Sequence, residues 1–138
     1  MQSITTYIGP DVGCWPQADL PKASPEAIPA PDNSCDAVTS IFMLHELPPE
    51  VRRTVMGEAA RVLKSGGRLI LMDSLQLGDE PDYDGMLERF PQLYHEPYYK
   101  SYLREDFPAI ARRCGLAHRH DNNAYVSKVM VFDKNAAS

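Results

Sequence analysis

The apolar and polar positions in the middle of the chain predict one strand–helix–strand unit. A polar turn precedes residues 37–44, a nearly continuous apolar run that is typical of a strand buried on both faces of a parallel sheet. Apolar side chains then recur at helical spacing between residues 49 and 63, and Gly66 follows as a helix stop. Residues 68–73 form a second apolar run. A unit of this length should make a right-handed crossover between two parallel strands.

The end of the chain predicts another amphipathic helix followed by an antiparallel hairpin. Apolar residues at helical spacing between residues 107 and 114 indicate the helix, with Gly115 as its stop. Residues 118–121 and 125–132 flank an Asn-Asn pair, and asparagine accepts the positive φ angles of tight turns. The predicted fold class is therefore α/β, with two parallel strands plus a C-terminal antiparallel hairpin, flanked by helices.

The beginning of the chain has a different composition. Six of the 12 prolines fall within residues 1–31, too many for a helix or a central strand. Residues 3–8, rich in β-branched side chains, could form one short strand. We therefore expect residues 1–27 to be an irregular segment and residues 28–138 to be the folded half-domain.

Composition narrows the classes of function. With 138 residues the chain is one domain, and its net charge of -5 offers no broad basic surface for nucleic acid. No apolar run approaches the roughly 20 residues that cross a bilayer, and no signal peptide is recognisable, so we expect a cytoplasmic protein without membrane contacts. The three cysteines have no Cys-x-x-Cys spacing, and we expect neither a disulfide framework nor a metal site.

Two motifs carry a resemblance to a known family. Residues 28–36 read Ile-Pro-Ala-Pro-Asp-Asn-Ser-Cys-Asp, and residues 61–67 read Arg-Val-Leu-Lys-Ser-Gly-Gly. They match the "Leu-Pro-Phe-Pro-Asp-x-Ser-Phe-Asp" and "Arg-Val-Leu-Lys-Pro-Gly-Gly" motifs of class I S-adenosylmethionine (SAM)-dependent methyltransferases of the type 11 kind. The chain resembles the carboxyl-terminal half of that family over roughly residues 28–132. The resemblance implies a partial Rossmann-like sheet, SAM as cofactor and methyl transfer to a small-molecule acceptor.

The same resemblance implies a glycine-rich cofactor loop that this sequence does not reproduce. Residues 11–14 read Asp-Val-Gly-Cys, as in one version of that loop, but Trp15 and Pro16 then replace the glycine and its successor. Fewer than twenty residues separate this segment from residue 28, where the family has two strands and two helices. Either chance similarity or the scar of a deletion would explain the segment. We expect a truncated methyltransferase whose SAM site is incomplete in this chain alone.

Two functions stay open at this point. The first is a methyltransferase that needs a cofactor cradle from another copy or another protein. The second is a non-catalytic, degenerate methyltransferase domain that acts in oligomerisation or partner binding. Without the first strands of the family, residues 37–44 would form an exposed apolar edge, which residues 3–8 or a second chain would have to cover. We therefore expect a homodimer, with strand 37–44 as its possible interface.

The resemblance also points to cofactor and catalytic residues. Phe42, Met43 and Leu44 would line the cofactor cleft at the carboxyl end of their strand, where open α/β sheets bind ligands; alternatively they are core residues. His45 could be the base that removes a proton from the acceptor, with Glu46 as its orienting partner. The alternative is that His45 binds a loop carbonyl and that Glu46 faces solvent.

Three further residues could contact the methyl acceptor. Tyr98 and Tyr102, one helical turn apart, could cover its pocket, or they could form an aromatic stripe that packs on the sheet or on a partner. Asp73, at the end of the second predicted strand, could reach the same crevice or cap the following turn.

Overall fold

The protein forms a five-stranded mixed sheet with helices packed against it. The computed structural model describes residues 26–135 and the backbone of residues 4–8. The strands are β1 (Ile4–Ile8), β2 (Cys35–Ile41), β3 (Leu63–Ser74), β4 (Leu116–Ala124) and β5 (Ser127–Lys134). The helices are α1 (Pro49–Val62), α2 (Asp84–Tyr94), α3 (Tyr99–Tyr102) and α4 (Phe107–Arg113), with two 3-10 turns at Leu44–Glu46 and Pro81–Tyr83.

The strand order β1-β2-β3-β5-β4 confirms the predicted fold class. Strands β2 and β3 are parallel neighbours, and α1 is the crossover between them. Strands β4 and β5 form the antiparallel hairpin, and β5 pairs antiparallel with β3. Because the hairpin turn follows β4 and precedes β5, it lies beside the carboxyl end of β3.

The first parallel strand ends earlier than the sequence predicted. Strand β2 stops at Ile41 rather than at residue 44, because Phe42 adopts a left-handed φ of 50° and the chain turns at once. The Phe42 amide still donates to the Met72 carbonyl at 2.8 Å, and the Leu44 amide then donates to the buried Asp73 carboxylate at 2.9 Å. These contacts across the sheet stabilise a turn where the apolar run alone suggested extended chain.

The expected open edge of the sheet is covered within the chain. Strand β1 pairs antiparallel with β2 from Ile4 opposite Ile41 to Ile8 opposite Ala37, so β2 is hydrogen-bonded on both sides. Of the two expected ways to cover strand 37–44, the structure shows pairing with the segment at residues 4–8, so β2 has no free edge for a second copy. The β-branched run at residues 4–8 supplies the missing neighbour.

The hydrophobic core lies between the sheet and α1, α3 and α4. Alternate residues of β3 and β5, such as Leu69, Leu71, Met130 and Phe132, contribute to it, as expected when successive strand residues face opposite sides. Helix α1 contributes Val55, Met56, Ala59, Ala60 and Val62. None of the helices in the described ranges is long and apolar enough to cross a membrane.

Candidate active site

The carboxyl ends of β2 and β3 bring residues distant in sequence to one edge of the sheet. Ile41, the last residue of β2, pairs with Met72 of β3. Asp73 follows Met72 directly, and His45 lies on the 3-10 turn that follows β2. Parallel strands end at the same edge, which is where open α/β sheets bind their ligands. The two residues are 28 positions apart in the chain and in contact in the fold.

Asp73 is a fixed, buried carboxylate that orients His45. Its side chain is 1% exposed, and its Oδ1 lies 2.7 Å from Nδ1 of His45. The remaining lone pairs accept backbone N–H groups of Leu44 at 2.9 Å and of Ser74 at 2.7 Å. Because Nδ1 donates its proton to the carboxylate, Nε2 carries the lone pair of the neutral ring. The pair thus has the geometry of a base with its orienting acid.

The surroundings of His45 favour its protonated form. Burial lowers the pKa of the imidazole, but the hydrogen bond and charge of Asp73, together with the charges of Glu46 and Glu96, outweigh burial and raise the pKa above its ordinary value. Glu46 Oε1 lies 3.7 Å from Nε2, beyond hydrogen-bonding distance. The orienting contact predicted for Glu46 is thus made by Asp73 on the other ring nitrogen.

The tyrosines around His45 divide into surface and core residues. Tyr102 is fully buried, and its hydroxyl donates to the Ser74 carbonyl, so its ring has no surface to offer an acceptor. Burial raises the pKa of that hydroxyl well above its ordinary value. Tyr98 is 39% exposed and stands just before α3. The structure therefore does not bring Tyr98 and Tyr102 together on one pocket wall.

Tyr99 is a residue of this site that the sequence analysis did not single out. Its ring centre lies 5.5 Å from that of His45 in an edge-to-face arrangement, and its hydroxyl bonds Ser74 Oγ. Burial raises the pKa of the Tyr99 hydroxyl, even though the hydrogen bond to Ser74 lowers it. The available signal was the i, i+3 spacing of Tyr99 and Tyr102, which puts both on the inner face of a short helix.

Arg52 of α1, also absent from the sequence candidates, holds the two halves of the site together. The side chain is fully buried, and its Nε donates to the Leu44 carbonyl at 2.9 Å. Its other nitrogens donate to the Tyr98 carbonyl at 2.6 Å and to Glu105 Oε2 at 3.1 Å. The turn that carries His45 and the start of α3 are thereby fixed to one helix. In sequence Arg52 falls on the apolar stripe of α1, three residues before Val55, which is an unusual place for a charge.

The three predicted cofactor residues do not form a cradle on their own. Met43 and Leu44 are 5% and 1% exposed and belong to the hydrophobic core, whereas Phe42 is half-buried at the strand end. Within the described ranges, no turn with two or more glycines follows a strand at this edge, and no group of three or more His, Cys, Asp or Glu side chains could hold a metal ion. Of the three residues, Phe42 is the one that leaves part of its side chain accessible at the strand end.

Part of the chain matches the sequence model of a known protein family. The model, described as a methyltransferase domain, matches residues 10–71. That range contains both sequence motifs, β2, α1, the first part of β3 and the 3-10 turn with His45, and the same fold recurs in solved methyltransferases. This part of the chain is therefore similar to a methyltransferase domain. The range also includes residues 11–15, the Asp-Val-Gly-Cys-Trp segment, which lies outside the described residues.

The chain matches curated relatives that are considerably longer than itself. It is 31% identical over 88 residues to the demethylmenaquinone methyltransferase of Tropheryma whipplei strain Twist, and equally to that of strain TW08/27. The matched region is 62% of this chain and 29% of each relative. The chain thus spans less than a third of these relatives.

Solved structures share the fold of this domain at low identity. A SAM-dependent methyltransferase from Methanosarcina mazei superposes with a TM-score of 0.59 at 17% identity, over 83% of this chain and 66% of that chain. The O-methyltransferase NcsB1 of neocarzinostatin biosynthesis, solved with S-adenosylhomocysteine and 1,4-dihydroxy-2-naphthoic acid, gives 0.56 at 18% identity over 81% and 32%. An O-methyltransferase family protein from Burkholderia thailandensis gives 0.56 at 17% identity over 75% and 31%.

Proposed function

We propose that this domain takes part in SAM-dependent methyl transfer and that His45 accepts the proton of the methyl acceptor. The observation that carries the proposal is the buried Asp73 bonded to His45 Nδ1 at the carboxyl edge of two parallel strands. That edge is the ligand-binding edge of open α/β sheets, and the match of residues 10–71 to a methyltransferase domain supports the reaction class.

The residues of the chain account for the acid–base part of such a reaction. Asp73 keeps Nδ1 protonated and the ring oriented, so that Nε2 is the atom that accepts a proton. Arg52 and Tyr99 hold the turn and the ring in place. SAM, when bound, supplies a methyl group on a sulfonium, which needs alignment with the acceptor more than covalent help. We propose that most SAM contacts come from outside the trio Phe42, Met43 and Leu44, either elsewhere in the chain or from another protein.

A second candidate is a non-catalytic methyltransferase domain that acts in oligomerisation or partner binding. The burial of Met43 and Leu44 favours it, because these residues offer little surface to a cofactor. A homodimer belongs to this candidate, although its interface has to lie away from β2, whose two edges are already paired.

Calorimetric titration with SAM and S-adenosylhomocysteine separates the two candidates. Micromolar binding by this chain alone contradicts the non-catalytic candidate. Absence of binding to a sample with a cooperative unfolding transition contradicts autonomous catalysis.

Methyl transfer from radiolabelled SAM to a panel of acceptors then tests the base. Replacing His45 by Gln should lower kcat by about 10²- to 10⁴-fold, the usual contribution of a general base, and leave SAM affinity unchanged. His118→Gln, in the exposed hairpin, is the matched control. A fully active His45→Gln variant removes His45 from the mechanism.

A further inference from the structure

Lys128 of β5 carries a buried charge that the proposed proton step does not use. It is 5% exposed, and its Nζ donates to Gln76 Oε1 at 2.9 Å and to Asp79 Oδ1 at 3.1 Å. A lysine is rarely buried to this extent without partners, because taking an ammonium group out of water is costly. In the pairing of β3 with β5, Lys128 lies opposite Asp73, the partner of His45. The charge is therefore held beside the candidate active site.

Gln76 connects Lys128 to the end of α3. Its Nε2 donates to the carbonyl of Tyr102 at 2.7 Å and to that of Glu105 at 2.8 Å. An ammonium group can only donate, so Lys128 binds the amide oxygen and leaves both amide hydrogens to the two carbonyls. The orientation of the buried Gln76 side chain is therefore determined by Lys128 on one side and by the segment 102–105 on the other.

Helix α3, at the start of that segment, carries two rings that contact His45. The ring centres of Tyr99 and Tyr102 lie 5.5 Å and 6.2 Å from that of His45, and both contacts are edge to face. Because the Tyr102 carbonyl accepts from Gln76, the same residue links the amide network to these rings. A displacement of α3 would therefore remove the rings that limit movement of the imidazole.

A second set of contacts leads from the same segment to the turn that carries His45. Glu105, whose carbonyl accepts from Gln76, binds Arg52 through its carboxylate at 3.1 Å. Arg52 in turn donates to the carbonyl of Leu44, directly before His45. The polar groups thus form one connected network from β5 to the turn, and in such networks each contact supports the geometry of the next.

We infer that Lys128 is a positioning residue for His45. By holding Gln76, it fixes α3 and the 3-10 turn against the imidazole ring. The inference rests on the proposed function, because it concerns the base of that reaction. Lys128 takes no part in the proton step itself, and its effect is on the fraction of time for which the ring keeps the orientation set by Asp73.

Two variants interrupt the network at different contacts. Lys128→Met removes the ammonium group and keeps the length of the side chain. Gln76→Met removes both donors to the segment 102–105 without changing any charge, so it separates a positional effect from a purely electrostatic one. Lys134→Met is the matched control, because Lys134 of the same strand donates to Asn33 Oδ1 at 2.8 Å and to the Leu63 carbonyl at 2.6 Å, at the opposite end of β3.

The rate at which diethyl pyrocarbonate modifies each histidine measures how firmly the His45 ring is held. Peptide mass spectrometry of the whole chain gives the rate at His45 relative to that at the exposed His118. This ratio should rise about three- to tenfold in Lys128→Met and in Gln76→Met, the change expected when one hydrogen bond less opposes opening of the site. It should stay unchanged in Lys134→Met, which loses stability without touching the network. Gln76→Met alone suffices for the test if Lys128→Met does not fold.

Methyl transfer from radiolabelled SAM provides the functional measurement. If Lys128 positions the base, both network variants should lower kcat by the same factor of about three to ten and leave the KM for SAM unchanged. A lower stability alone would reduce the amount of active protein in the Lys134→Met control as well.

An unchanged His45 ratio in both network variants overturns the inference and leaves Lys128 as a structural ion pair. An equal rise in Lys134→Met also overturns it, because any loss of stability would then suffice. His45-dependent methyl transfer whose kcat neither network variant changes supports the proposed function and overturns the inference. A native chain that transfers no methyl group, although both network variants expose His45, counts against the proposed function and leaves the positioning of the ring by Lys128 standing.

Discussion

Single residues at this site act through contacts that the order of the sequence hides. His45 and Asp73 could each be chosen from the sequence because both follow apolar runs, but their pairing depends on the register of β2 and β3. Glu46, the sequence neighbour of His45, was the natural choice of partner, and a residue 28 positions away makes the contact. The apolar pattern of each strand predicts which residues lie at the carboxyl edge of the sheet. The pairing of β2 with β3 then determines which of these residues are in contact.

Replacing Asp73 by Asn should lower the pKa of His45. The variant removes the hydrogen-bonded negative charge that favours the imidazolium, whereas the burial that disfavours it remains. Titration of the His45 ring signals by NMR measures the change, with His118 as the internal reference. An unchanged or higher pKa contradicts the assigned role of Asp73.

The raised pKa of His45 also makes the stability of the fold depend on pH. Since the pKa of His45 is raised in the folded chain, its protonation stabilises the fold fully below about 6.5, the ordinary value, and this contribution is lost as pH rises through the folded pKa. The difference in unfolding free energy between the native chain and His45→Gln should therefore be larger at pH 6 than at pH 9. Urea unfolding at the two pH values measures it, and an equal difference contradicts the raised pKa.

Arg52 should be far more costly to remove than its neighbour on α1. Arg52→Met leaves two backbone carbonyls and Glu105 without their donor, which should cost about 2–4 kcal/mol of unfolding free energy. Arg53→Met, at an exposed position, should stay within about 0.5 kcal/mol. Urea unfolding of both variants compares them, and equal stability would mean that the buried guanidinium is not a structural tie.

At the scale of elements, the existence of α1, α4, the parallel pair and the hairpin could be predicted, and their ends could not. Period and length indicate an element, but the end of β2 is set by the left-handed Phe42 and by the Asp73 carboxylate, both of which are consequences of the folded sheet. Likewise, Tyr98 and Tyr102 have helical spacing, but α3 is a single turn that begins at Tyr99, so Tyr98 stays outside it.

Gly57 in the middle of α1 and Gly67 in β3 should respond oppositely to replacement by alanine. A Cβ on Gly67 would lie 2.8 Å from the Lys64 carbonyl oxygen, so Gly67→Ala forces the backbone to move and should cost about 1–3 kcal/mol. A Cβ on Gly57, inside α1, meets nothing among the described residues within 4 Å. Gly57→Ala should therefore stabilise the protein by about 0.5–1 kcal/mol through helix propensity. Thermal unfolding of the pair measures both signs, and a shift in the same direction for both contradicts this assignment.

For the molecule as a whole, the short strand β1 determines whether the outer edge of β2 is paired or exposed. The sequence raised two ways to cover the apolar strand β2, and the fold uses the five residues of β1. The amino-acid composition could not distinguish pairing with residues 3–8 from pairing with a second chain. A β-branched segment forms strand pairs equally well within a chain and between chains.

Deleting residues 1–8 should turn the protein into an associating species. The deletion removes the β1 backbone and leaves one edge of β2 unpaired, which is a template for pairing with another chain. Light scattering should show a higher and concentration-dependent mass relative to the full chain. The control is Tyr125→Ser in the full chain, a change at an exposed position that leaves β1 intact. Identical masses for the deletion variant and the full chain contradict the role of β1.

The central position of β3 gives the two members of the His45–Asp73 pair unequal mobility. Strand β3 is hydrogen-bonded to β2 on one side and to β5 on the other, so its amides should be among the slowest in the protein to exchange with deuterium. His45 stands on a single 3-10 turn, which is held by the Asp73 carboxylate and by Arg52 instead of by strand pairing. The carboxylate is thus the fixed member of the pair, and the amide exchange rates of the turn, compared with those of β3, should show how often the base leaves it.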